Sequence, residues 1–114
     1  MKRIMRQQLE EDIRARRVTV VEALPERYYV DGHLPGALHL PHDQVTELAP
    51  ALLGDKHAQI VVYCANVNCQ NSHKAAHALT ALGYRNVAVY AEGKQDWIEA
   101  GLPLEKGPMM SRAA

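Results

Sequence analysis

Four side chains able to act as nucleophile, base or metal ligand fall close together in mid-chain: Cys64, Cys69, His73 and His77. An ionised thiol is a nucleophile and a redox group. Two thiols five positions apart can reach disulfide distance if the chain between them turns tightly. Histidines at i and i+4 share one helix face, a spacing that zinc sites use. The step from Cys69 to His73 is far shorter than the equivalent gap in a zinc finger, and zinc would occupy the nucleophile. Thiol chemistry is therefore expected at this place, with no metal and no cofactor. The plainer alternative is that Cys64 is a small apolar residue ending a core strand.

The neighbouring residues say how Cys64 is held. Ile60-Val61-Val62-Tyr63 is a short β-branched run, which predicts a buried strand. Ala75, Ala76, Ala78, Leu79 and Leu82 follow a helical spacing that Gly83 closes as a C-cap. Between them runs a polar loop, Ala65 to Ser72, with Ser72 placed to cap the helix. Cys64 thus ends a strand and faces a helix start, where open α/β sheets bind ligands. Loop N–H groups and the helix N-terminus favour an anion there, which predicts a thiolate at Cys64. His73 and Lys74, in the first helical turn, are placed to touch an anionic substrate.

The rest of the chain supplies the frame. Lys2–Arg17 predicts a short edge strand, then a helix from about Arg6 to Ala15. Val18–Glu22 is a strand buried on both faces. Pro25 opens a helical turn through Arg27-Tyr28-Tyr29, in which both tyrosines pack. Gly32 and Pro35-Gly36 force a turn, Ala37–Leu40 is a brief strand, and His33 is a structural histidine. His39, His42 and His57 read as surface or strand-end residues. Asp43–Leu53 predicts a helix that Pro50 breaks or kinks. Asn86–Tyr90 is a further strand, Gly93 a turn, and Lys94–Ala100 a last helix with Trp97 in the core. The expected fold is α/β: a small parallel sheet of about five strands with helices on both faces.

The totals set limits. A chain of 114 residues makes one domain, here 1–106, with a loose tail at 107–114. Lys+Arg and Asp+Glu balance at 13 each, and Glu10, Glu11 and Asp12 interrupt the basic residues near the N-terminus. No nucleic-acid or membrane partner is expected from such a balance. No apolar run approaches the ~18 residues of a membrane span, and no signal-peptide core follows the basic start. The expected location is the cytoplasm, where two close cysteines are reactive rather than structural.

Three segments in order resemble the rhodanese family of single-domain sulfurtransferases. Gly32-His33-Leu34-Pro35-Gly36-Ala37 followed by Pro41 resembles its turn signature. Val61-Val62-Tyr63-Cys64, the loop, Ser72 and the helix to Leu82-Gly83-Tyr84 resemble its active-site block. Val87–Gly93, Trp97 and Ala100-Gly101-Leu102-Pro103 resemble its C-terminal signature. The resemblance implies that Cys64 carries sulfane sulfur as a persulfide. It further implies that Ala65, Asn66, Val67, Asn68, Cys69, Gln70 and Asn71 wrap that sulfur with backbone N–H groups, with Ser72 at the loop's end.

Two departures bear on the substrate. Cys69 stands where the common short loop has an arginine, and no residue from Ala65 to Ser72 is basic. Gln70 occupies the place of the phosphate-holding arginine of the phosphatase relatives, so phosphatase activity is not expected. The strand that in many relatives ends Asp-Val-Arg ends here Glu22-Ala23-Leu24, removing an arginine that helps hold thiosulfate. Polysulfide or another protein's persulfide therefore stands beside thiosulfate as donor, with a thiol or cyanide as acceptor. Two other readings stay open. Cys69 could resolve a Cys64 persulfide and make the pair a redox couple, or the fold could serve only to dock an unidentified protein partner.

Overall fold

Val20-Val21 and Val61-Val62 lie on adjacent strands, and the period of two sends successive side chains to opposite faces. Val21 and Val62 join one buried cluster with Leu38, Val45, Ala49 and Leu79. Val20 and Val61 join the other with Leu9, Tyr29, Tyr90 and Trp97. Each fully buried Val or Leu contributes about 1.5–3 kcal/mol, so these two layers fix the sheet between them.

The computed structural model describes residues 2–109. Its elements are β1 (Lys2–Arg3), α1 (Arg6–Arg14), β2 (Thr19–Glu22), α2 (Glu26–Asp31), β3 (Leu38–His39), α3 (Val45–Leu52), β4 (Gln59–Tyr63), α4 (Asn71–Ala81), β5 (Asn86–Tyr90) and α5 (Gly93–Glu99). The strands form one sheet in the order β1-β5-β4-β2-β3, with every pairing parallel. The expected α/β fold, a five-stranded parallel sheet covered on both faces, is what forms. After β2 the chain moves outward to β3, and after β4 it moves the other way to β5. Tyr29 of α2 and Leu79 of α4 accordingly pack in different clusters. Between β2 and β4 the order reverses, and a crevice opens beyond their carboxyl ends. Cys64 follows β4 at that crevice.

Several expectations change. Pro50 lies inside α3 and does not break it. Pro50 and Thr46, whose carbonyl its missing N–H would have met, are both exposed. Leu53 N–H still donates to Ala49 O at 2.7 Å beyond the proline. Gly83 does end α4: its φ is +97°, and Tyr84 N–H closes back on Leu79 O. His33 is structural, with Nδ1 2.7 Å from the Tyr29 carbonyl and its ring stacked on Tyr29. His39, read as a strand-end residue, reaches Leu24 O with Nε2 at 2.6 Å. Of the tail expected at 107–114, Gly107 N–H donates to Val30 O and Met109 packs against both clusters; residues 110–114 lie outside the described residues.

Candidate active site

Cys64 is the first residue past β4 and only 1% exposed. Its Sγ lies 3.3 Å from Ser72 Oγ and 3.4 Å from the Cys69 carbonyl oxygen. The helix begins at Asn71, one residue before the expected cap, so the loop proper is Ala65–Gln70. Ser72 therefore does not cap α4. It sits buried in the first turn with its hydroxyl on the cysteine sulfur.

The loop folds on Asn66. Cys69 N–H donates to Asn66 O at 3.1 Å, and Asn68 N–H donates to Asn66 Oδ1 at 3.0 Å. This turn brings the Cys69 backbone over Cys64 and leaves Val67 and Asn68 exposed at the tip. Those two bonds remove Asn68 and Cys69 from the N–H groups available to an anion. Among the described residues, the N–H groups of Ala65, Asn66, Val67 and Gln70 donate to no protein acceptor. Cys69, Ala65, Asn66 and Asn71 are half-buried, and Gln70 is exposed.

The base of the loop rests on α5. Lys94 N–H donates to Cys64 O, and Gln95 N–H to Ala65 O, both at 2.9 Å. Gly93 makes this approach possible. With φ of +72°, a Cβ there would stand 2.7 Å from Cys64 O and 2.9 Å from Ala65 C and Asn66 N.

Below the loop lies a polar layer that the sequence reading did not find. Glu22, at the end of β2, is fully buried. Its carboxylate accepts from the Tyr63 hydroxyl and from Lys94 Nζ at 3.1 Å. Lys94 Nζ also donates to Tyr28 O at 2.9 Å, and Tyr63 Oη accepts from Leu34 N–H. Burial and then the Glu22 charge hold the Tyr63 phenol well above its ordinary pKa, keeping it a donor. A charged residue ending the β-branched run Val18–Val21 was the available signal, because a buried charge needs a partner.

A cavity of about 360 Å³ opens beside this layer, lined by Leu24, Tyr28, Ala65, Asn66, Lys94 and Ile98 among others. Tyr28, expected to pack, is 43% exposed there; only Tyr29 is core. On the other flank, Val67 and His73 meet Lys2 and Arg3 around about 240 Å³. His77 is exposed and lines a larger cavity at the amino ends of β4 and β5, the opposite end of the sheet. Lys74 is exposed. Among the described residues, no three His, Cys, Asp or Glu side chains converge to hold a metal ion.

The electrostatics overturn one expectation. Burial first, and then the Cys69 side chain, push the Cys64 thiol from an ordinary 9.0 up to about 11, against the lowering by the Ser72 hydroxyl and N–H. At rest Cys64 is a thiol, not the expected thiolate. Its proton is placed to be donated to Cys69 O or Ser72 Oγ.

Comparison with known proteins shows the family of the chain. The rhodanese-like domain family matches residues 5–100. An HTH-type transcriptional regulator of Mycobacterium tuberculosis, Rv0324, is 33% identical over 90 residues, 79% of this chain. The match covers 38% of that regulator's length. A rhodanese-related protein of Thermoplasma volcanium is 27% identical, with a TM-score of 0.77 over 92% of this chain and 98% of its own. A rhodanese with anions from E. coli is also 27% identical, with a TM-score of 0.66 over 79% of this chain and 99% of its own. With its cysteine at the carboxyl end of the central strand and its sequence matched almost throughout, the chain belongs to the rhodanese-like domain family.

Proposed function

We propose that the protein is a sulfurtransferase in which Cys64 takes a sulfane sulfur from a small donor and passes it to a nucleophilic acceptor. The observation that carries this reading is the Cys64 sulfur, held at the β2–β4 crevice under a loop with four unpartnered N–H groups. The thiolate attacks the outer sulfur of thiosulfate or a polysulfide, and sulfite or the shortened chain leaves. A thiol or cyanide then attacks the terminal sulfur of the Cys64 persulfide and regenerates the thiolate. Ala65, Asn66, Val67 and Gln70 stabilise the charged terminal sulfur through their N–H groups, and Ser72 supports the thiolate. Neither step calls on a cofactor.

Burial holds the resting thiol above its ordinary pKa, so only a small fraction of Cys64 is ionised at neutral pH. Each such thiolate is only about tenfold more nucleophilic than one of pKa 9, so burial slows the resting site overall. The test is thiocyanate formation from cyanide with thiosulfate or polysulfide as donor. Wild-type turnover that Cys64→Ser abolishes is expected. Turnover surviving in Cys64→Ser, or none in either protein, overturns the reading.

A further inference from the structure

Cys69 has no part in that transfer cycle, yet its backbone lies against the reacting sulfur. Two turn bonds on Asn66 fold residues 66–69 back over Cys64, and the Cys69 carbonyl stands 3.4 Å from Cys64 Sγ. That carbonyl oxygen is two bonds from the Cys69 Cα, so the backbone carrying the second thiol lies beside Cys64 Sγ, close to the range a disulfide spans. Cys69 is half-buried where Cys64 is buried, so it is the thiol of the two that solvent reaches first.

We propose that Cys64 and Cys69 form a dithiol–disulfide couple whose substrate is inorganic sulfide, released from the persulfide and recaptured by the disulfide. The proposal rests on the sulfurtransferase reading for its forward loading step. Once Cys64 holds the persulfide, the Cys69 thiolate attacks Cys64 Sγ. The bond between Sγ and the terminal sulfur breaks, a Cys64–Cys69 bond forms, and the terminal sulfur leaves with the electron pair as hydrosulfide. The sulfane sulfur is reduced to sulfide while the two cysteines are oxidised to the disulfide. In reverse, hydrosulfide attacks Cys64 of the disulfide, expels the Cys69 thiolate and leaves sulfur on Cys64. The oxidised protein thus loads from sulfide with no sulfane donor, and an external thiol returns the disulfide to the dithiol.

The test has two arms. In the first, reduced wild type, Cys69→Ser and Cys69→Ala receive polysulfide, excess donor is removed, and sulfide release and intact mass are followed without added thiol. Wild type should release sulfide and end two hydrogens lighter than the dithiol. The variants should keep the extra sulfur and match the wild-type release rate only with about millimolar added thiol, the effective concentration of a tethered group. In the second arm, protein oxidised with a small disulfide reagent receives sodium sulfide, and a gain of one sulfur mapped to Cys64 is expected. If all three proteins keep the sulfur equally, or the oxidised protein gains none from sulfide, the couple is overturned while transfer stands. If no protein takes sulfur from polysulfide, the transfer reading fails, and the second arm alone decides the couple.

Discussion

Replacing Lys94 with methionine tests whether the buried pair with Glu22 holds the active-site end of the sheet. Methionine keeps the unbranched stem and removes the charge. Glu22 is fully buried, and the Lys94 side chain is 13% exposed, so the variant leaves a buried carboxylate with only the Tyr63 hydroxyl as donor. Removing one partner of such a pair costs about 3–5 kcal/mol. With a urea slope of about 1–3 kcal/mol/M for a small protein, a loss of about 3 kcal/mol lowers the unfolding midpoint by about 1–3 M. Glu22→Gln with Lys94→Met removes both charges, and the double variant should recover most of that loss. The assay is equilibrium urea unfolding of wild type, both single variants and the double variant. A Lys94→Met midpoint within experimental error of wild type, or a double variant less stable than Lys94→Met, refutes the reasoning.

Other predictions follow from the same contacts. Gly93→Ala combines a left-handed backbone strain of about 1–2 kcal/mol with overlap against backbone atoms, about 1–3 kcal/mol more; urea unfolding should register the sum, and sulfur transfer should fall with it. Alkylation of Cys64 by iodoacetamide, followed by peptide mass, should rise about tenfold per pH unit from neutral pH towards the pKa of about 11; a plateau near pH 7 would contradict the buried thiol. Because the folded pKa lies above the unfolded one, the unfolded chain ionises first as pH rises. The thiol's contribution to stability is therefore complete below 9.0 and lost between there and about 11, and Cys64→Ser should flatten that part of the stability curve. Ser72→Ala removes a donor to the Cys64 anion and should slow alkylation at fixed pH, whereas a helix cap alone would change stability and leave the alkylation rate untouched.

The sequence carried the local features and missed the long-range ones. Val18–Glu22, Ile60–Tyr63 and Asn86–Tyr90 were legible as strands because β-branched runs between turns have few other solutions. The place of Cys64 in the fold was legible because it follows such a run and precedes a helix. Lys94 was read only as part of a last helix. Its partners Glu22 and Tyr28 are remote in sequence, and no periodicity links them. Ser72 was read as the cap, two residues past the actual N-cap Gln70, because a serine near a helix start usually caps it; here Cys64 claims its hydroxyl. The thiolate expectation counted N–H groups and helix polarity but not burial, which a spacing pattern does not measure and which dominates at 1% exposure.

The central claim is that Cys64 accepts a sulfane sulfur. The most direct measurement is the intact mass of Cys69→Ser protein after incubation with polysulfide, and separately with thiosulfate, with no acceptor present; this background keeps any intramolecular sulfide release out of the result. The account predicts a gain of one sulfur with at least one donor, lost on adding cyanide and absent from Cys64→Ser/Cys69→Ser protein. No gain with either donor, or a gain that survives replacement of Cys64, contradicts it.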